Sequence, residues 1–252
     1  MDPKMLIILC PLIFLAGFVD SIAGGGGLIS LTSYMALGMP PHLALGNNKF
    51  ASTSGTTVAA IRYIRAGQVE MKLGTFAVIF SLVGSAVGAH VALQASDTFL
   101  RYLMVVLVPV IAAFTLLKKD FGVAKRRMAD GPLTYFICCI ACLLIGFYDG
   151  FFGPGTGVFL TFLFSALIGL DIVTSCGTTK IVNLASNVAA LATFILNGNI
   201  DYLIAIPCAA CQIAGSYLGA GMAIRKGVAI VKPIMLIVMA LLLLKLIFSF
   251  LV

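Results

Sequence analysis

Apolar residues run along this chain in long blocks, separated by short clusters of glycine and charge. An apolar block over residues 5–23 ends in Gly24-Gly25-Gly26-Gly27, and a shorter one, 28–37, follows it. Next come a long polar-rich block, 42–65, and two apolar blocks, 73–93 and 102–117. The second half has the same order: 133–150, the cluster Gly153-Pro154-Gly155-Thr156-Gly157, then 158–168, 171–196, 202–223 and 233–251. A helix needs about 20 predominantly apolar residues to cross a bilayer, so the pattern predicts an all-α integral membrane protein. The short blocks after each glycine cluster reach only about 15 Å as helices, too little to cross.

The likeness of the halves is a repeat in the residues themselves. Gly17-Phe18-Val19-Asp20 matches Gly146-Phe147-Tyr148-Asp149, and Gly24 and Gly26 match Gly153 and Gly155. Beyond the clusters the offset settles at 131 residues: Gly46 and Lys49 match Gly177 and Lys180, Glu70 matches Asp201, and Gly84, Ser85 and Gly88 match Gly215, Ser216 and Gly219. The chain therefore divides into a first membrane repeat (1–117), a linker (118–132) and a second repeat (133–252), each with about four hydrophobic helices and a glycine-broken or re-entrant segment. The N-terminal block resembles a signal peptide in composition. Its recurrence in mid-chain argues that it is part of the fold.

Composition agrees. The chain of 252 residues is 61% hydrophobic and 10% charged, with a mean hydropathy of +1.14. That is too little charge to coat a water-facing surface, where about a quarter is usual. The formal charge of +7 points to topology and not to nucleic acid, because the basic residues crowd into short loops, as the positive-inside bias requires. Arg62, Arg65 and Lys72 flank one loop of the first unit, whereas its counterpart, 197–201, has no Lys or Arg. The next loop reverses this: 94–101 holds one basic residue, while Arg225, Lys226 and Lys232 crowd its counterpart. With the basic linker and these loops in the cytoplasm of a cell (inner or plasma) membrane, corresponding loops fall on opposite sides. The units are then inverted and both termini lie outside. Inversion needs an odd number of crossings per unit, which a re-entrant hairpin followed by three spans supplies. A single broken span, giving four crossings and parallel units, is the rival arrangement. The seven cysteines, including Cys208 and Cys211, read as small apolar side chains within helices, and no cofactor or metal is expected.

Four ionisable residues fall where lipid or core is expected: Asp20, Lys49, Asp149 and Lys180. Each costs roughly 2.5–3.5 kcal/mol near a bilayer centre, so such residues face a cavity or one another and mark function by default. Pairing within each unit, Asp20 with Lys49 and Asp149 with Lys180, is the structural alternative; a proton or Na⁺ carrier is the functional one for the acids. The glycine clusters supply backbone breaks, and a fresh helix start after a break presents N–H groups and a dipole that favour an anion. Neither cluster ends in the Gly-Lys-Ser/Thr of a nucleotide-binding loop. Candidate substrate ligands are thus Gly24, Gly25, Gly26, Asn47, Asn48 and Lys49 in the first unit. Gly153, Gly155, Thr156, Thr178, Thr179 and Lys180 match them in the second. Ser52, Asn183, Ser186 and Asn187 continue the polar stretch, Gly84, Gly88, Gly215 and Gly219 read as helix-packing positions, and His42 and His90 as boundary residues. Lys245, without a basic counterpart in the first unit, is placed to snorkel outward.

At these motifs, GFVDSIAGGGG (17–27), GNNK (46–49), GFYDGFFGPGTG (146–157) and GTTK (177–180), the chain resembles the TauE/SafE family of membrane permeases. The resemblance covers both repeats and implies a transporter of sulfite, a sulfonate or a related organosulfur anion, bound at the repeat interface. A coupling proton or Na⁺, a lipid bilayer and a homo-oligomeric partner fit that reading. An Asp-dependent cation transporter and an anion channel are its alternatives. A membrane enzyme is not expected, since no HExxH, GxSxG or paired His/Cys motif occurs.

Overall fold

The computed structural model describes residues 5–100, 102, 131–231, 233 and 234. Most of the linker (118–130), nearly all of the closing blocks (103–117 and 235–251) and Lys245 lie outside the described residues. The described chain is helical, and among its residues there is no strand. In the first unit α1 spans Leu6–Ala23, α2 Gly26–Ala36, α3 Pro41–Arg65 and α4 Met71–Gln94. In the second, α5 spans Pro132–Phe151, α6 Thr156–Phe162, α7 Ile172–Leu196 and α8 Tyr202–Lys226. Helix α6 runs on as a π-helical turn, Leu163–Ile168, which the apolar pattern did not anticipate. Among the described residues, five helices (α1, α4, α5, α7 and α8) are long and apolar enough to cross a membrane. Helix α3 has the length but carries the polar stretch from Asn47 to Thr57. The protein is an all-α, multi-pass membrane protein.

The units are interlocked. Gly84 and Gly88 of α4 lie against the backbone of Leu143, Phe147 and Phe151 on α5. Gly215 and Gly219 of α8 lie in the same way against Phe14 and Phe18 on α1. The helix-packing reading of these four glycines is therefore correct: a Cβ at any of them meets a neighbouring main chain. Each unit thus lends its fourth helix to the other's first.

These contacts also set helix directions. Partners advance together along α4 and α5, along α1 and α8, and along α3 and α8, where Asn47 meets Asp201, Gly55 meets Gln212 and Arg62 meets Gly221. They advance together along α4 and α7, from Gly74 beside Thr178 to Ser85 beside Ser186. Between α3 and α7 the order reverses: the start of α3 abuts Asn199 and its end, at Tyr63, abuts Gly177. Helices α3 and α7 therefore point in opposite directions. Arg62, Arg65, Lys72, Arg225 and Lys226 gather at the end where α3 and α8 finish. His42, Asp97 and Asp201 stand at the other end, with His42 Nδ1 2.7 Å from Asp97 Oδ1.

After its glycine break, α2 turns back along α1. Gly26 sits against Ala16 and Asp20, and Tyr34 and Met39 share a core cluster with Leu9 and Ile13 near the start of α1. The first two pieces form a hairpin, one of the two arrangements that the short second block left open.

Candidate functional site

The two glycine breaks meet inside the protein. Gly24 lies against Gly157, and Gly27 lies near Pro154. The positive φ of 68° at Gly24 and 87° at Gly155 is open to glycine at little cost. At Gly24 a Cβ would also strike the Gly157 backbone. Only glycine meets both demands there.

Four ionisable side chains flank the breaks, and their pairing differs from the within-unit alternative that the sequence offered. Lys180 Nζ lies 2.7 Å from Asp20 Oδ2, and Lys49 Nζ lies 2.8 Å from Asp149 Oδ2. Each acid thus joins the lysine of the other unit. The physical reason is the antiparallel crossing of α3 and α7, which carries each lysine to the opposite unit's break. Lys49 and Lys180 are 1% exposed and Asp149 is 2% exposed. Charges so deeply buried persist only when paired.

A small polar cavity opens beside the breaks. Its free volume, about 20 Å³, suits about one or two waters, each needing roughly 10–15 Å³. Of the expected ligands it is lined by Gly25, Asn48, Lys49, Gly153, Gly155 and Thr156, with Asp20 and Asp149. Ser52, Asn183 and Asn187 also line it, and Asn187 Oδ1 accepts from Lys49 Nζ at 3.0 Å. Lys180, Asn183 and Asn187 fall at helical spacing on one face of α7. That spacing was the available signal for the two asparagines.

The other expected ligands stand behind this lining. Gly24 and Gly26 are packed against neighbouring backbone, and Lys180 is turned to Asp20. Asn47 Oδ1 accepts from the Asp201 N–H at 3.0 Å, and Thr178 Oγ1 accepts from the Glu70 N–H at 3.0 Å. These corresponding residues each cap the fourth helix of the other unit. Thr179 Oγ1 lies 3.2 Å from Thr161 Oγ1, while Ser30 Oγ donates to Asn48 Oδ1 at 2.5 Å. These bonds tie the short helix after each break to the long helix of its own unit. Gly46 and Gly177 lie against the Asn199 and Gln68 carbonyls of the opposite unit. Of GNNK, then, Asn48 and Lys49 line the cavity. No residue of GTTK does, since Lys180 pairs with Asp20 behind the lining, while both glycines, Asn47 and Thr178 contact the other unit.

A two-unit helical membrane protein, with paired breaks and a charged polar interior between the units, is the class that fold and site define. The family model for the sulfite exporter TauE/SafE matches residues 9–246, and the chain belongs to that family. It is 34% identical over 225 residues to the probable membrane transporter protein ORF9 of a Sinorhizobium species, covering 89% of this chain and 85% of the relative. It is 33% identical over 248 residues to the probable membrane transporter protein YfcA of Escherichia coli K12, covering 98% and 91%. The probable membrane transporter protein YdhB of Bacillus subtilis is 28% identical over 219 residues, covering 86% and 89%. No solved structure matches. The family and these relatives are membrane transporters, not enzymes.

Proposed function

We propose that the protein is a secondary transporter for a small oxyanion such as sulfite, a sulfonate or a related organosulfur anion, bound where the two glycine breaks meet. The observation that carries this reading is the break-to-break contact, Gly24 on Gly157, beside a polar cavity holding Lys49 and its partners. Broken helices that meet between repeats are how many secondary transporters build a substrate site near the bilayer midplane. The donors suit an oxyanion: an ammonium, the amides of Asn48, Asn183 and Asn187, the Ser52 hydroxyl, and backbone N–H groups at a helix start. One such start is already used this way, since the Gly25 and Gly26 N–H groups hold the Asp20 carboxylate at 3.2 and 3.3 Å. Each acid lies against a lysine, which disfavours a cation as cargo. A cavity this small requires the breaks to part before a sulfite-sized anion enters, which fits alternating access better than an open channel.

Opposed helix directions, together with the gathering of Arg62, Arg65, Lys72, Arg225 and Lys226 at one end, support inverted units with that end in the cytoplasm. The N-terminal start of α1 then lies outside. In this reading the repeats are 1–117 and 133–252, joined by a cytoplasmic linker.

The test is flux into proteoliposomes with sulfite, sulfonates, chloride and Na⁺. Lys49→Met and Lys180→Met are expected to abolish sulfite flux while folded protein still accumulates. Losing one partner of a buried pair costs about 3–5 kcal/mol. The double variant Lys49→Met/Asp149→Asn removes that cost and is expected to remain inactive. Normal flux in these variants takes the lysines out of the mechanism, and Na⁺ flux without anion flux favours the cation reading.

A further inference from the structure

The two carboxylates are held very differently. Asp20 Oδ1 accepts the N–H groups of Gly25 and Gly26, and Oδ2 accepts Lys180 at 2.7 Å. Three donors therefore stabilise its ionised form. Asp149 lines the cavity at 2% exposure. Its Oδ2 lies 2.8 Å from Lys49 Nζ as an ion pair, and this buried oxygen has no hydrogen-bond partner. The ammonium's own hydrogen bond goes to Asn187 Oδ1.

The cause is legible in the two clusters. Asp20 takes its backbone donors from the fifth and sixth residues after it. The fifth residue after Asp149 is Pro154, which has no N–H. Thr156 does not replace it: its N–H and its hydroxyl both donate to the Gly153 carbonyl, at 3.2 and 2.7 Å. The change from GGGG to GPGTG thus removes from the second acid a donor that the first one has.

The surroundings of Asp149 leave one counter-charge. Lys49 faces it from α3, and Asn187 faces the same ammonium from α7. On the α1 side the charged group is Asp20, already joined to Lys180 of α7. Helix α4 presents Ser81 and Ser85 against Gly146 and Gly150, next to Asp149. Tyr148, beside it in sequence, donates its hydroxyl to the Pro154 carbonyl at 2.6 Å.

We propose that Asp149 is the proton-carrying carboxylate of the transport cycle, and that Asp20 is a brace that stays ionised throughout. The assignment rests on the transporter reading above. A proton from water on the loading side adds to Asp149 Oδ2, giving a neutral carboxylic acid. Lys49 then has no counter-charge, remains on Asn187 and takes the oxyanion. One proton and one monoanion enter together, and the loaded site has the same net charge as the empty one. On the far side the anion leaves, the proton returns to water, and Lys49 and Asp149 pair again.

Infrared spectroscopy of the purified protein, with sulfite flux under an imposed pH gradient, tests this. Acidification is expected to raise, in the wild type, the high-frequency carbonyl band of a buried, weakly hydrogen-bonded carboxylic acid, distinct from the lower-frequency band of the solvated carboxyls. That band is expected to persist in Asp20→Asn and to be lost in Asp149→Asn. Pro154→Gly returns an N–H to the second break; it is expected to hold Asp149 ionised to lower pH and so to shift the band's midpoint downward. Inward acid gradients are expected to accelerate wild-type sulfite uptake, and Asp149→Asn to lose that dependence. A band that survives in Asp149→Asn, a midpoint unmoved in Pro154→Gly, or gradient dependence that survives in Asp149→Asn overturns the assignment. Absence of sulfite flux in the wild type, with the band behaving as described, removes sulfite as cargo and leaves the proton site standing.

Discussion

Asp20 and Lys180 lie 160 residues apart in sequence yet their charges touch, and Asp149 and Lys49 do the same across the other half. The crossing has a measurable consequence. Double-mutant cycles on stability in detergent are expected to give coupling for 20 with 180 and for 49 with 149, in the range of about 0.5–3 kcal/mol. The within-unit pair, 20 with 49, is expected to give less; equal coupling in all pairs rejects the crossed arrangement. The four residues were legible from the chain, because ionisable groups in apolar blocks are costly and conspicuous. Their partners were not, since a repeat offers each acid two equivalent lysines and local sequence does not rank them.

At the scale of elements, the glycine clusters, the short returning helix and the long polar helix all lie where the apolar pattern put them. The π-helical turn after α6 does not announce itself, because Leu163–Ile168 has no proline or glycine inside it. The GNNK and GTTK glycines show how a motif divides its labour. A Cβ on Gly46 or Gly177 meets a loop carbonyl of the opposite unit, and the main chain there cannot yield as a side chain end would. Gly46→Ala and Gly177→Ala are each expected to destabilise by about 1–3 kcal/mol, the usual cost of overpacking. This would appear as a lower melting temperature in detergent; unaltered melting in both would place these contacts outside the unit interface.

Over the whole molecule the directions of the helices matter most. Reporter fusions at residue 67 and at residue 198 are expected to report opposite sides of the membrane, with residue 67 cytoplasmic. The same side for both sinks the inverted reading. Cysteine labelling at the two loops provides a check that adds no bulky domain. Interlocking also bears on stability. Since α4 packs on α5 and α8 on α1, neither unit buries its glycine faces alone. A chain split at the linker is therefore expected to yield folded protein only when both halves are expressed together.

The sequence by itself determined that this protein lives in a bilayer, that it is a duplicated unit with glycine breaks, and which four charges must be hidden within it. These follow from composition, periodicity and the cost of burying charge, all local or additive along the chain. Only the tertiary structure decided which acid meets which lysine, that Asn47 and Thr178 cap helices instead of lining the cavity, and that Asn187 joins Lys49. Those outcomes depend on how α3 and α7 cross and how each is rotated about its axis. That is set by packing summed over both units and is written in no single stretch of residues.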